Sequence, residues 1–197
     1  ADVPFKPTVS VFDAPWNPKN KLVHVAIKGY DLKLQLFTVP GQVRYNQTRR
    51  AVLQKADGVV FVADSQQGEQ DANDESYENL KENLAANDLD YPSIPLVLQY
   101  NKQDLEDILS PRELDARLNE RKAPQFGAIA ITGVGVLQTL KHAILNVLDG
   151  FNRKFPDFPV AEIEERIDRS FEAVLEAYQK KTRPPTAAAA AVAASDS

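Results

Sequence analysis

Three short polar stretches in this 197-residue sequence carry residue types that suit recognition of a purine nucleotide. The sharpest is Asn101-Lys102-Gln103-Asp104, which directly follows the apolar run at residues 94–100. A carboxylate at Asp104 can accept hydrogen bonds from the N1–H and the 2-amino group of guanine. Adenine presents an acceptor at N1 and would leave that carboxylate unpaired, at a cost of about 1–3 kcal/mol for a polar group withdrawn from water. Asn101 can bridge the base to neighbouring loops, and the aliphatic stem of Lys102 can cover the purine face. Taken alone, four such residues fit a plain polar turn equally well.

The second stretch is Thr38-Val39-Pro40-Gly41-Gln42. A glycine lets the backbone N–H approach a terminal phosphate closely, and a glutamine after it can orient an attacking water. A Pro-Gly turn leading into a helix has the same composition. The third is Ala130-Ile131-Thr132-Gly133-Val134-Gly135, whose backbone N–H groups at residues 130–132 are placed to meet guanine O6. Two glycines before a helix are otherwise ordinary turn chemistry.

Other chemistries find little support. The chain has no cysteine, so it has neither disulfides nor a thiolate zinc site. His24 and His142 are too few and too distant in sequence for a metal constellation. The net charge of -5 argues against nucleic acid as the main partner, because phosphate backbones call for a basic surface. No Gly-x-Ser-x-Gly elbow marks a hydrolase of the parallel-sheet type. No apolar run reaches the roughly 20 residues that cross a bilayer, and the start of the chain has no signal-peptide pattern. The expected location is the cytoplasm.

The elements that would position these stretches follow from periodicity. Residues 1–20 are proline-rich and read as extended or irregular, with one short strand at 8–12. Residues 22–27 and 32–39 read as an antiparallel hairpin joined through Gly29. Then strand and helix alternate: a helix at 43–55, a strand buried on both faces at 57–64, a helix at 71–87 with Tyr77, Leu80 and Leu84 on one side, a buried strand at 94–100, a helix opened by Ser110-Pro111-Arg112-Glu113, a strand at 128–131 and a helix at 136–148. Such alternation implies an α/β fold with a mostly parallel sheet, helices on both faces and one antiparallel edge hairpin. In such sheets ligands sit beyond the carboxyl ends of the strands, which is where all three polar stretches fall. Beyond residue 150, Val160, Ile163, Ile167, Phe171, Val174 and Tyr178 form one stripe of an amphipathic helix, read as packing on its own domain. The Ala-rich tail from 182 reads as disordered. The expected organisation is thus a lead-in at 1–20, a domain at 21–150, a helical extension at 151–181 and a tail at 182–197.

The order and spacing of Thr38-Val39-Pro40-Gly41-Gln42, Ala56-Asp57-Gly58-Val59-Val60-Phe61-Val62-Ala63-Asp64-Ser65, Asn101-Lys102-Gln103-Asp104 and Thr132-Gly133-Val134-Gly135 resemble the MglA-type bacterial small GTPases, switches of gliding and cell polarity. The resemblance covers roughly residues 20–148. It implies a Ras-like fold of the P-loop NTPase type, with Asn101, Lys102 and Asp104 reading guanine together with the N–H groups of Ala130, Ile131 and Thr132. It implies Gly41 as the γ-phosphate contact and Gln42 as the catalytic, water-positioning residue. GTP or GDP and Mg²⁺ are the implied ligands, and a roadblock-type activating protein and effectors the implied partners. Recruitment to a cell pole is implied as well.

One departure matters. The phosphate-binding signature Gly-x4-Gly-Lys-[Ser/Thr] does not occur, since no glycine of the chain precedes a lysine. In the family that loop, with the first strand of the sheet and the first helix, comes ahead of the segment matching residues 8–13. It supplies the phosphate cradle and the Mg²⁺ ligand, and Thr38 in place of the usual aspartate offers no substitute. The sequence also lacks methionine altogether. Two expectations follow. One is a GTP hydrolase whose upstream P-loop lies outside this stretch, these 197 residues being inactive alone. The other is an interaction module that keeps the sheet without catalysis.

Overall fold

In the computed structural model, residues 22–27, 30–39, 45–154 and 159–182 are described. The chain builds β1 (Leu22–Ile27), β2 (Tyr30–Gln35), α1 (Asn46–Leu53), β3 (Val59–Asp64), α2 (Gln70–Ala85), β4 (Leu96–Asn101), α3 (Pro111–Leu118), β5 (Gln125–Gly127), α4 (Val136–Lys154) and α5 (Val160–Thr182). The anticipated short strand at 8–12 lies outside these residues, as do the lead-in and the Ala-rich tail.

The central sheet has the order β3-β4-β5, with both pairings parallel. Phe61 stands beside Leu98 and Asp64 beside Asn101, so β3 and β4 end at the same level. On one face Phe61, Ala63, Leu96, Leu98 and Tyr100 meet Tyr77, Leu80 and Leu84 of α2 and Leu114 and Leu118 of α3. The 3–4 spacing of the α2 residues places them on the helix side that the sheet covers. On the other face α4 lies against β4, where Val97 is fully buried and the Asn146 amide donates to Leu96 O at 3.3 Å. Gly58 permits this approach: a Cβ there would come within 2.5 Å of the Val147 side chain.

α3 starts as its sequence dictates. The Ser110 hydroxyl accepts from Glu113 N–H, and the Glu113 carboxylate accepts from Ser110 N–H at 2.8 Å, a reciprocal cap with Pro111 in the first turn. The bond from the Ser110 hydroxyl, and after it the one from the Ser110 N–H, holds the Glu113 carboxyl below the usual range. The stripe of α5 packs on its own fold: Val160, Ile163 and Ile167 join Ile144 and Leu148 of α4, with Phe171 beside them. His142 packs against Phe126 with ring centroids 4.5 Å apart and the rings tilted. Among the described residues no helix is long and apolar enough to cross a membrane.

Three expectations need correction. β1 and β2 do pair antiparallel, with Ile27 opposite Tyr30, but they form a separate two-stranded sheet. The hairpin is therefore not shown as an edge of the parallel sheet, and its second strand spans 30–35 rather than 32–39. The last strand lies at 125–127 instead of 128–131. The alternating Ala-Ile-Ala-Ile run has strand propensity, but Ile129 N–H donates to Val134 O at 2.9 Å and closes a tight loop there, leaving Ile131 85% exposed. Gly135 makes the closure possible, for its φ is +76° and a Cβ would sit 2.1 Å from Gly127 O. Finally, β3 is fully buried on one face only, with Val60 and Val62 of the other face partly exposed.

Candidate functional site

β4 and β5 deliver two loops to one end of the sheet. The chain leaves β4 at Asn101 and turns at Lys102, whose φ of +67° is unusual for a residue with a side chain. The turn is closed by Leu105 N–H donating to Lys102 O at 3.2 Å, and Gln103 N–H donates to Ala128 O at 3.1 Å. The second loop, residues 128–135, is tied to the first by one side chain: Asn101 Oδ1 accepts from Ala130 N–H at 2.9 Å. Asn101 thus bridges the two loops.

Asp104, Ala130, Ile131 and Thr132 lie on these two loops. Asp104 is exposed, and its carboxylate accepts no hydrogen bond and makes no ion pair among the described residues. A carboxylate displayed in this way, on a turn fixed by backbone bonds, is an acceptor pair open to a ligand. In the second loop the N–H of Ala130 is engaged by Asn101, and that of Thr132 by Ile129 O at 3.1 Å. The N–H of Ile131 meets no acceptor among the described residues. Ala130, Ile131 and Thr132 are all exposed.

A third segment, which the sequence reading located but assigned no role, underpins the first loop. Asp64 and Ser65, at the end of β3, both reach across to it. The Lys102 ammonium lies 2.5 Å from Asp64 Oδ2, and Gln103 Nε2 donates to the buried Ser65 hydroxyl at 2.6 Å. Ser65 N–H donates to Asn101 O at 3.0 Å, and Leu109 N–H to Ser65 O at 2.8 Å. Partial burial pushes the Asp64 carboxyl up, but Lys102 and the Gln66 donors outweigh it and hold the group below the usual carboxylate range. The bond to Asp64 raises Lys102 in turn, against a smaller effect of burial. The signal in the sequence was an apolar strand that stops at two consecutive polar residues.

Gly41 and Gln42 lie outside the described residues, so the structure places neither of them. Thr38 and Val39 follow β2 as irregular chain. Among the described residues no three His, Asp or Glu side chains gather to hold a metal ion.

Known proteins resemble this chain in sequence. Residues 17–149 match the model of the ADP-ribosylation factor family. Over 115 residues the chain is 50% identical to the mutual gliding-motility protein MglA of Myxococcus xanthus (strain DK1622). The aligned stretch is 58% of this chain and 59% of that relative, so the match spans less than two thirds of the relative's length. The family match takes in β1 through most of α4, including both loops of the site and the brace beneath them. The chain belongs to the ADP-ribosylation factor family.

Proposed function

We propose that this chain is the base-recognising part of a guanine-nucleotide switch that binds GTP and GDP. One observation carries the reading: the open Asp104 carboxylate, on a turn that Asn101 ties to the 130–132 loop, where the N–H of Ile131 meets no acceptor among the described residues. In this reading Asp104 accepts from guanine N1–H and the 2-amino group. The Lys102 stem lies along the purine face, and O6 points at the 130–132 segment, where Ile131 N–H is unengaged. Asn101 keeps the two loops in register, so that acceptor and donors stay at a fixed separation.

Gly41 and Gln42 are assigned by resemblance to the γ-phosphate contact and to the positioning of the attacking water. With them go Mg²⁺ and hydrolysis of GTP to GDP, in a full-length protein that supplies a phosphate cradle. The working organisation is a G domain at 21–150 and a C-terminal helical extension at 151–181. A regulator of roadblock type, effectors, a cytoplasmic protein recruited to a pole and a part in bacterial motility or polarity complete the proposal, by the family resemblance of the sequence motifs.

The test is a competition titration of the full-length protein with GDP, ADP and xanthosine diphosphate. GDP should be preferred over ADP. Asp104→Asn should weaken GDP by about tenfold or more and favour xanthosine diphosphate, because an amide donor suits the C2 carbonyl of xanthine. An unchanged order of preference in the variant would remove Asp104 from base reading. A parent protein that binds none of the three would leave the interaction-module reading in its place.

A further inference from the structure

The carboxylate of Asp64 is fixed more completely than a surface ion pair requires. Its own backbone is clamped from α2: Asp64 N–H donates to Asn73 Oδ1 at 2.9 Å, and Asn73 Nδ2 donates to Asp64 O at 2.7 Å. Asn73 is itself buried, and Gln70 adds a longer bond to the same carbonyl. The side chain is held a second time. Gln66 N–H donates to Oδ1 at 3.1 Å, and the Gln66 amide reaches both oxygens at 3.2 Å. What remains of Oδ2 faces the Lys102 ammonium at 2.5 Å.

Lys102 is the opposite case. Its backbone sits in the left-handed region, and its side chain is 44% exposed. Neither its conformation nor its packing would settle where its four-carbon stem lies, because a lysine stem has many rotamers. Asp64 settles it from the far end. With the ammonium pinned to β3, the stem must span the gap between the end of β3 and the turn after β4.

We propose that Asp64 is a positioning residue for guanine recognition: it pins the Lys102 ammonium so that the lysine stem is laid in advance where the purine face comes to rest. The proposal rests on the guanine-binding reading above and adds to it a residue that touches no part of the base. Asp64 acts through Lys102, and Asn73 and Gln66 act through Asp64. The gain is preorganisation, since the rotamers of Lys102 are restricted before the base arrives.

The experiment is a double-mutant cycle in the full-length protein, read by equilibrium titration with fluorescent GDP and GTP. Asp64→Asn should weaken both nucleotides equally, by about three- to tenfold. Lys102→Met should weaken them at least as much. The double variant should be no weaker than Lys102→Met alone, because Asp64 has no other route to the base. Thermal melting of each variant separates this from loss of fold. Should Asp64→Asn fail to fold, Asp64→Glu carries the test: its extra methylene displaces the ammonium while the charge is kept, and GDP affinity should fall with the melting temperature retained. Parent affinity in folded Asp64→Asn or Asp64→Glu overturns the proposal, as do losses that add in the double variant. These results leave the guanine reading standing where the parent prefers GDP over ADP. A parent without that preference overturns both.

Discussion

β3 and β4 are neighbours with the same kind of sequence, and the structure treats them differently. Both are short apolar strands, VVFVAD and LVLQYN, paired in parallel along their full length. The first five residues of β4 are all buried, because α2 and α3 cover one face and α4 the other. Among the described residues β3 has the first cover and only a partial second one, from α4. Phe61 and Ala63 are buried, whereas Val60 and Val62 are 38% and 52% exposed. The contrast is clearest at one pair: Val60 and Val97 stand side by side in register on the same face, and Val97 has no exposed surface at all. A continuous apolar run marks a strand suited to burial on both faces. It does not say how much of that burial the described part of the chain provides.

This difference bears on the site. The strand with two full covers carries the turn that displays Asp104, and the strand with a partial second cover carries the brace. Asp64 and Ser65 are therefore held from α2 and from β4 rather than by full packing on both sides of β3.

The largest expected effect is on β4. Leu98→Ala removes a fully buried side chain from the middle of the core that α2 and α3 share, and should cost about 2–5 kcal/mol in urea unfolding. The paired valines sharpen the comparison. Val97→Ala should cost about 2 kcal/mol, from two buried methyl groups and the space they leave. Val60→Ala, the same change one strand away on the same face, should cost about half of that or less, since much of the side chain already meets water. Equal costs for the two valines would break the comparison.

Local chemistry was legible in the sequence where it is set by neighbours along the chain. The cap at Ser110 and Glu113, the covered side of α2 at Tyr77, Leu80 and Leu84, and the turn after a buried strand at Asn101 all depend on residues within a few positions. The site was less legible where it depends on register. Ser65 and Gln103 are 38 positions apart and meet only because β3 and β4 end together. The partner of Lys102 is fixed in the same way. The displaced last strand shows a different limit: the propensity of Ala128, Ile129 and Ile131 was overruled by a loop closure that Gly135 alone can accommodate. The incomplete burial of β3 was hidden for the reverse reason, for its residues are apolar whether or not a second layer fully covers them here.

The smallest expected effect asks directly whether that layer is incomplete. Val62→Thr keeps the branched shape of the side chain and its strand propensity, and replaces one methyl by a hydroxyl. At a site more than half exposed the hydroxyl keeps its water, so the change should fall within about 0.5 kcal/mol of the parent in urea unfolding of this chain. Under an apolar cover the same hydroxyl would be stripped of water without a partner, at about 1–3 kcal/mol. The substitution therefore reports the environment of the β3 face rather than the size of the side chain, which alanine would confound. Its control is Val97→Thr on the neighbouring strand, where burial is complete and the larger cost is expected. A cost above about 1 kcal/mol at Val62 would mean that β3 is covered on both faces like β4, and the difference between the strands would no longer hold.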